Sequence, residues 1–290
     1  MFQGGIAFFD SGIGGLSVLR ACVNSTRGLP IYYYGDNARA PYGNLPIKCI
    51  RAYAHEAFRI FERLNVAAAV VACNTVTALL IDELRACYSF PVIGIEPSLL
   101  PALKRHSQVL VLATNATVGS ERFKGLVEGA MRQYPSADVR AVGCARLADG
   151  IERMAKGEEV VLENLLPSGK AEAVVLGCTH YSLVAGRIAR FYGAEVFDGN
   201  QGVAARLADV LTKREFLSKS VEKNAGRQAF WDKLSTVTFL RGENRVKKPF
   251  KLSKKRRSFG KIKSAQSLYF LGSGRVQNCK FYERMFAFQK

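Results

Sequence analysis

Ala68-Ala-Val-Val-Ala-Cys73-Asn-Thr75 and Ala173-Val-Val-Leu-Gly-Cys178-Thr-His180 are two versions of one stretch, a short apolar run ending in a cysteine that hydrogen-bonding residues follow. The second begins 105 residues after the first, at 173 against 68. A continuous apolar run of this length, rich in Val and closed by polar residues, reads as a strand buried on both faces of a parallel sheet. A displacement of 104 lays Ile6-Ala-Phe-Phe-Asp10-Ser-Gly-Ile-Gly-Gly15 over Leu110-Val-Leu-Ala-Thr114-Asn-Ala-Thr-Val-Gly119, and the run at Val92 falls near the run at Val196. Such self-similarity implies two related halves.

Working outward, strands are expected at 6–9, 31–34, 66–72, 92–95, 109–113, 139–143, 173–177 and 195–197. Helices are expected at 46–64, 75–87, 118–131 and 201–211. The alternation gives an α/β fold of two pseudo-symmetric α/β domains with parallel central sheets. Each polar cluster follows a strand: Asp10-Ser11, Asp36, Cys73-Asn74-Thr75, Thr114 and Cys178-Thr179-His180. Ligands of open parallel sheets bind beyond the carboxyl ends of the strands, so the active site is expected in the cleft between the halves. The chain should cross near residues 96–100 and return near 208. Residues 1–97 plus 209–290 then form the first lobe, and residues 98–208 the second.

Composition narrows the function classes. The 290 residues, 48% hydrophobic, suffice for a substantial core. No apolar run approaches the roughly 20 residues that span a bilayer, and Met1-Phe2-Gln3-Gly4-Gly5 lacks the charged and apolar regions of a signal peptide, so a cytoplasmic protein without membrane insertion is expected. Seven cysteines in no metal-like pairs, with three histidines, suggest neither a disulfide framework nor a metal site. The net charge of +18 is concentrated: residues 213–290 hold 21 of the 42 Lys and Arg and 5 of the 24 acidic residues, a net of +16 against +2 for residues 1–212. Lys247-Lys248, Lys251 and Lys254-Lys255-Arg256-Arg257 place the densest charge within 241–263, which reads as a solvated, mobile insertion. Nucleic-acid binding through this tail is the lesser reading, since charge runs are commonly solvated faces.

The two repeated cysteines carry the chemistry. A thiol is readily tuned as acid or base near neutral pH, and two thiols on opposite faces of one carbon can lift a proton from one side and return it to the other. Cysteine is also a common core residue, and Cys22, Cys49, Cys87, Cys144 and Cys279 read that way. Cys73 and Cys178 differ in being followed by Asn74-Thr75 and Thr179-His180 at helix starts, where N–H groups favour anions. Asp10-Ser11-Gly12-Ile13-Gly14-Gly15 lacks GxGxxG spacing and a Walker lysine, which excludes a nucleotide site. Asp10 is there either as a helix cap or to engage a substrate ammonium or assist one thiol.

Four segments, Phe9 to Val18, Gly35-Asp36-Asn37-Ala38-Arg39-Ala40-Pro41-Tyr42-Gly43, Ala72 to Thr75 and Leu176 to Tyr181, resemble in order and spacing the signature segments of the glutamate racemases. The resemblance covers residues 4–212, and Ser267 to Phe288 is similar to that family's closing strand and helix. It implies interconversion of L- and D-glutamate without pyridoxal phosphate, metal or other cofactor, in the service of peptidoglycan synthesis, and a homodimer. It implies that Cys73 and Cys178 transfer the protons, with Asp10 and His180 assisting them. Asp10, Ser11, Tyr42, Gly43, Asn74, Thr75 and Thr179 match substrate contacts; Thr114 and Thr117 match residues near the substrate carboxylate. Asn74, Thr75, Thr179 and backbone N–H groups are candidates to stabilise the developing carbanion.

The sequence departs from the family at two places. Where the family has an apolar, proline-containing run before a site glutamate, this chain has Cys144-Ala-Arg-Leu-Ala-Asp-Gly-Ile-Glu152, so Glu152 is catalytic by spacing or else a solvated helix residue; Ser182 replaces a proline. The competing readings are a racemase of aspartate or a related acid, a one-cysteine decarboxylase-like relative, and a nucleic-acid-binding protein on a racemase-like scaffold.

Overall fold

A computed structural model describes residues 4–219, 239–241 and 268–272. The first sheet is built from β1 (Ile6–Asp10), β2 (Ile31–Gly35), β3 (Ala68–Val71) and β4 (Val92–Gly94). The second holds β5 (Gln108–Ala113), β6 (Asp138–Gly143), β7 (Ala173–Gly177) and β8 (Glu195–Asp198). Two late strands, β9 (Phe239–Arg241) and β10 (Leu268–Gly272), extend the first sheet, giving orders β4-β3-β1-β2-β10-β9 and β6-β5-β7-β8. Every pairing is parallel. The order β2-β1-β3-β4 in one sheet and β6-β5-β7-β8 in the other is the same order displaced by four strands, which is the sequence repeat expressed as topology.

The helices are α1 (Leu16–Cys22), α2 (Ile47–Arg63), α3 (Asn74–Cys87), α4 (Leu99–Leu103), α5 (Asn115–Val118), α6 (Glu121–Gln133), α7 (Leu147–Ala155), α8 (Thr179–Ser182), α9 (Ala185–Tyr192) and α10 (Asn200–Lys219). Strand alternation divides the core. Ala7, Phe9, Ala69 and Val71 face an aromatic layer of Phe58, Phe61, Tyr88 and Phe90. Ile6, Phe8, Ala68 and Val70 turn the other way, into a core that also takes Leu110 and Leu112 of β5, Val174 and Leu176 of β7, and Val203, Leu207 and Leu211 of α10. One hydrophobic mass therefore joins the inner faces of both sheets, and the C-terminal α10 packs into it beside α1.

All eight strands expected in residues 1–212 form, with β3 shorter than 66–72. The stretch expected as one helix over 118–131 is two: α5 stops at Gly119, and Ser120 restarts the chain as α6 by accepting the Phe123 N–H at 3.1 Å. The strand β9 was not expected. Cys87 is exposed at the last residue of α3 and Cys49 is half-buried, so neither is the core residue that cysteine's habit suggested, whereas Cys22 and Cys144 are buried. Cys279, the basic stretch 241–263 apart from Arg241, and the expected closing helix after β10 lie outside the described residues. Among the described residues no helix is long and apolar enough to cross a membrane.

The Phe58 ring is fully buried and meets the rings of Phe9, Phe61, Tyr88 and Phe90 at centroid distances of 5.1–6.2 Å. Phe58→Ala is expected to cost about 3–5 kcal/mol in urea unfolding, since the cavity adds to the lost transfer energy.

Candidate active site

β3 and β7 each end by running directly into a helix, and the residue at each junction is a cysteine. Cys73 is the N-cap of α3 and Cys178 of α8, both with extended backbone, so each thiol sits at the carboxyl end of the strand next to the central one. The sheet register places Asp10 beyond Phe9–Val71 and Thr114 beyond Ala113–Gly177, at the same level as the thiols. Both cysteines are buried, at 4% and 7% exposure.

Each thiol has its own polar partner. The Cys73 Sγ–H donates to Ser11 Oγ at 3.6 Å, and burial, with the Asp10 carboxylate nearby, pushes its pKa up to about 12. Cys73 rests as a thiol. Cys178 Sγ lies 3.8 Å from His180 Nδ1, whose Nε2 is 2.7 Å from Glu152 Oε1. Burial alone would lower the His180 pKa, but its bonds to Cys178 and Glu152 and the Glu152 charge outweigh that and raise it well above 6.5. Burial likewise opposes the Glu152 carboxylate, and is overcome by His180, the Ile13 N–H and Lys156, so its pKa falls below 4.5. A buried imidazolium–carboxylate pair thus stands beside Cys178. Glu152 is 4% exposed on α7, which removes the reading of it as a solvated helix residue.

Asp10 is fully buried and burial raises its pKa against the pull of His180 and its hydrogen bonds. It is not the N-cap of α1, which is Gly15; Asp10 Oδ2 accepts the Gly12 N–H at 2.9 Å, and Oδ1 accepts the Thr179 hydroxyl at 3.1 Å. A second cross-half contact links Thr75 Oγ1 to Thr114 Oγ1 at 2.9 Å, and Thr114 Oγ1 to Thr117 Oγ1 at 2.9 Å. Thr114 also caps α5 by accepting the Thr117 N–H. Gly43 lies so close to this group that a Cβ there would come within 2.7 Å of the Thr114 methyl.

Asn74 is 3% exposed, yet neither its Nδ2 nor its Oδ1 has a partner among the described residues. A buried amide without partners is costly and marks a place where something polar belongs. Beside Asn74 and Thr117 a partly open cleft of about 20 Å³, room for one water, is lined also by Pro97, Glu96 and Arg122.

Residues 11–208 match the family model described as Asp/Glu/Hydantoin racemase. The chain belongs to that racemase family. The curated glutamate racemase of Clostridium kluyveri is 32% identical over 261 residues, 86% of this chain and 97% of its own. That of Clostridium acetobutylicum is 38% identical over 228 residues, 75% and 88% of the two chains. The crystal structure of Escherichia coli glutamate racemase in complex with L-glutamate and the activator UDP-MurNAc-Ala matches with a TM-score of 0.65 at 30% identity, over 72% of this racemase and 83% of that chain. This racemase is thus an amino-acid isomerase of two α/β halves.

All thirteen residues singled out from the sequence lie at the facing strand ends or on the loops and helices that follow them. Tyr42 differs in kind: its hydroxyl donates to Asp36, and its ring packs against Phe9 and Tyr53, so the phenol is committed and only its backbone remains for a ligand. Asp36 is held in turn by Arg39, which also pairs with Glu56 at 2.8 Å. Sequence reading missed the Tyr33 hydroxyl, which donates to Gly12 O at 2.8 Å, and the Ile13 N–H, which donates to Glu152 Oε1 at 3.2 Å. Nothing in spacing marks a backbone donor, whereas the position of Asp36 after a strand did mark it.

A His with a raised folded pKa stabilises the fold below its unfolded value of 6.5 and loses that contribution as pH rises through the folded value. A Glu with a lowered one contributes above 4.5 and loses it as pH falls through its folded value. The pair is therefore worth most between pH 4.5 and 6.5. Urea unfolding of His180→Asn against wild type is expected to show its widest stability gap there, narrowing as pH rises further. Glu152→Gln, which strands a buried cation, is expected to cost about 3 kcal/mol near neutral pH.

Proposed function

We propose that this racemase interconverts L- and D-glutamate, with Cys73 and Cys178 on opposite faces of the α-carbon and no cofactor. The observation that carries the reading is the pair of buried thiols at equivalent strand ends of the two sheets, Cys73 bonded to Ser11 and Cys178 to His180. In one direction a deprotonated thiol takes the α-proton, the C–H electron pair stays on carbon as a carbanion, and the other thiol delivers its proton to the opposite face. The roles exchange in the reverse direction. Asp10 assists Cys73, and His180, oriented by Glu152, assists Cys178, since a cation beside sulfur stabilises charge arising there during transfer.

Binding follows from donors that the fold leaves to a ligand. The unpartnered Asn74 amide and the Tyr42–Gly43 backbone would hold the two carboxylates and spread the carbanion's charge, with the Ser11, Thr75, Thr114, Thr117 and Thr179 hydroxyls sharing or exchanging their present bonds to join them. The thiols are closed from solvent, so the halves must part to admit substrate and close to exclude water. Lobes of 1–97 plus 209–290 and of 98–208 are the bodies that would move. The same reading makes the protein a cytoplasmic supplier of D-glutamate for peptidoglycan, acting as a homodimer.

Circular dichroism of purified protein with L-glutamate and, separately, D-glutamate is expected to show optical activity decaying to zero from both sides without added cofactor. Cys73→Ser and Cys178→Ser should each abolish the decay. Turnover of aspartate instead of glutamate would transfer the reading to that acid; unchanged signals with both amino acids would overturn it.

A further inference from the structure

The Gly12-Ile13-Gly14-Gly15 turn lacks the GxGxxG spacing and the lysine of a phosphate loop, and its glycines call for another reason. A Cβ on Gly12 would stand 2.2 Å from Glu152 Oε1 and 3.1 Å from His180 Nε2. One on Gly14 would stand 2.5 Å from Thr179 Oγ1 and 2.6 Å from the His180 backbone nitrogen. Ala40 of the turn's own half also stands 3.1 Å from the Gly12 position, but the nearest atom at Gly12 and all three at Gly14 belong to the second half. Gly12 and Gly14 are needed because the first-half turn lies directly on the acid–base groups of the second.

The contact is specific. Ile13 N–H donates at 3.2 Å to the same Glu152 oxygen that sits 2.7 Å from His180 Nε2, and His180 Nδ1 is the atom beside Cys178. Without that N–H, Glu152 would lose a hydrogen bond from the other half and a share of what keeps its carboxylate charged. The converse arrangement holds for the other thiol. Thr179, next to Cys178, donates to Asp10 Oδ1, and Asp10 immediately precedes Ser11, whose Oγ accepts the Cys73 Sγ–H at 3.6 Å. Tyr33 steadies the turn by donating to Gly12 O at 2.8 Å, and Gly12 N–H ties the turn back to Asp10.

We propose that each half positions the proton-transfer group of the other, the Gly12–Gly14 turn holding Glu152 and His180 for Cys178 while Thr179 holds Asp10 for Cys73. Gly12 and Ile13 are positioning residues, since they act through Glu152. Neither thiol is then fully equipped until the halves meet, so substrate closure and readiness for proton transfer are one event. The inference rests on the two-thiol reading above.

The test is the kinetic isotope effect with α-deuterated L- and D-glutamate. Weakening one thiol's assistance makes C–H cleavage slowest from the enantiomer that gives its proton to that thiol, so its isotope effect rises. From the other enantiomer the slow step becomes return of an unlabelled proton, so the effect falls towards one. Gly12→Ala is expected to lower kcat/KM about 100-fold, the cost of a misplacement near 1 Å, and to skew the two isotope effects in one direction. Thr179→Val should skew them in the opposite direction. In a Glu152→Gln background Gly12→Ala should cost little more, because the group it displaces is already disabled.

Equal suppression of both isotope effects, or none, in variants whose far-ultraviolet circular dichroism is native would overturn the inference while leaving a racemising wild type intact. Should Gly12→Ala fail to fold, Thr179→Val decides alone. A wild type that racemises neither enantiomer overturns the racemase reading and this inference together.

Discussion

A proton can be moved from one face of a tetrahedral carbon to the other only by groups on both sides, and both must be dry while charge sits on carbon. The duplicated sheet meets that constraint at the level of the backbone. Two strands with the same place in two sheets end in cysteines, the sheets share one apolar core, and hydrogen bonds from Thr179 to Asp10, between Thr75 and Thr114 and from Ile13 to Glu152 join the loops beyond their strands. Dryness then sets the rest of the design. A thiol buried as deeply as Cys73 is a poor base without help, which is why carboxylates and an imidazole accompany the thiols into the interior. Those groups need partners of their own, since a lone buried charge is expensive. The partners come from across the junction: Ile13 for Glu152, Thr179 for Asp10.

Asn74 is the exception among these groups. Every other polar side chain named in the junction has a partner there; the Asn74 amide has none among the described residues, and the hydroxyl chain of Thr75, Thr114 and Thr117 runs close by. Single buried amide oxygens, such as that of Asn200, also go without a hydrogen bond among the described residues, but only Asn74 leaves both ends of its amide open, which is room for a polar molecule with both acceptor and donor atoms. An α-amino acid carries both.

Much of this was legible in residue order. The eight strands and both cysteine-bearing junctions follow from apolar runs closed by polar residues, because a strand buried on both faces leaves a continuous signal. The displacement of 104 or 105 residues carried the pseudo-symmetry. Less legible was whatever depends on contacts between the halves. Glu152 leaves two readings open, a catalytic residue by spacing or a solvated helix residue, and only the approach of His180 and Ile13 makes it an interior carboxylate. The glycines of the first turn read as a failed phosphate loop, since what they must avoid is 140 and more residues away in sequence, at Glu152, Thr179 and His180. The Gly119–Ser120 break between α5 and α6 was missed because a serine inside an amphipathic pattern and a serine that starts a new helix look alike until the Phe123 N–H is seen to bond it.

The order of the strands along the chain has a consequence for synthesis. The second sheet is complete once residue 198 has emerged, because β5 to β8 follow one another. The first sheet is not: β2, finished at Gly35, waits for β10 at Leu268–Gly272 to cover its free side. At ribosomal speeds of about 5–20 residues per second that interval is roughly 10–50 s, during which a strand of Ile31-Tyr-Tyr-Tyr34 offers unpaired backbone to any neighbouring chain. The exposed edge therefore outlasts the emergence of both Cys73 and Cys178, and it closes only when β10 has been made.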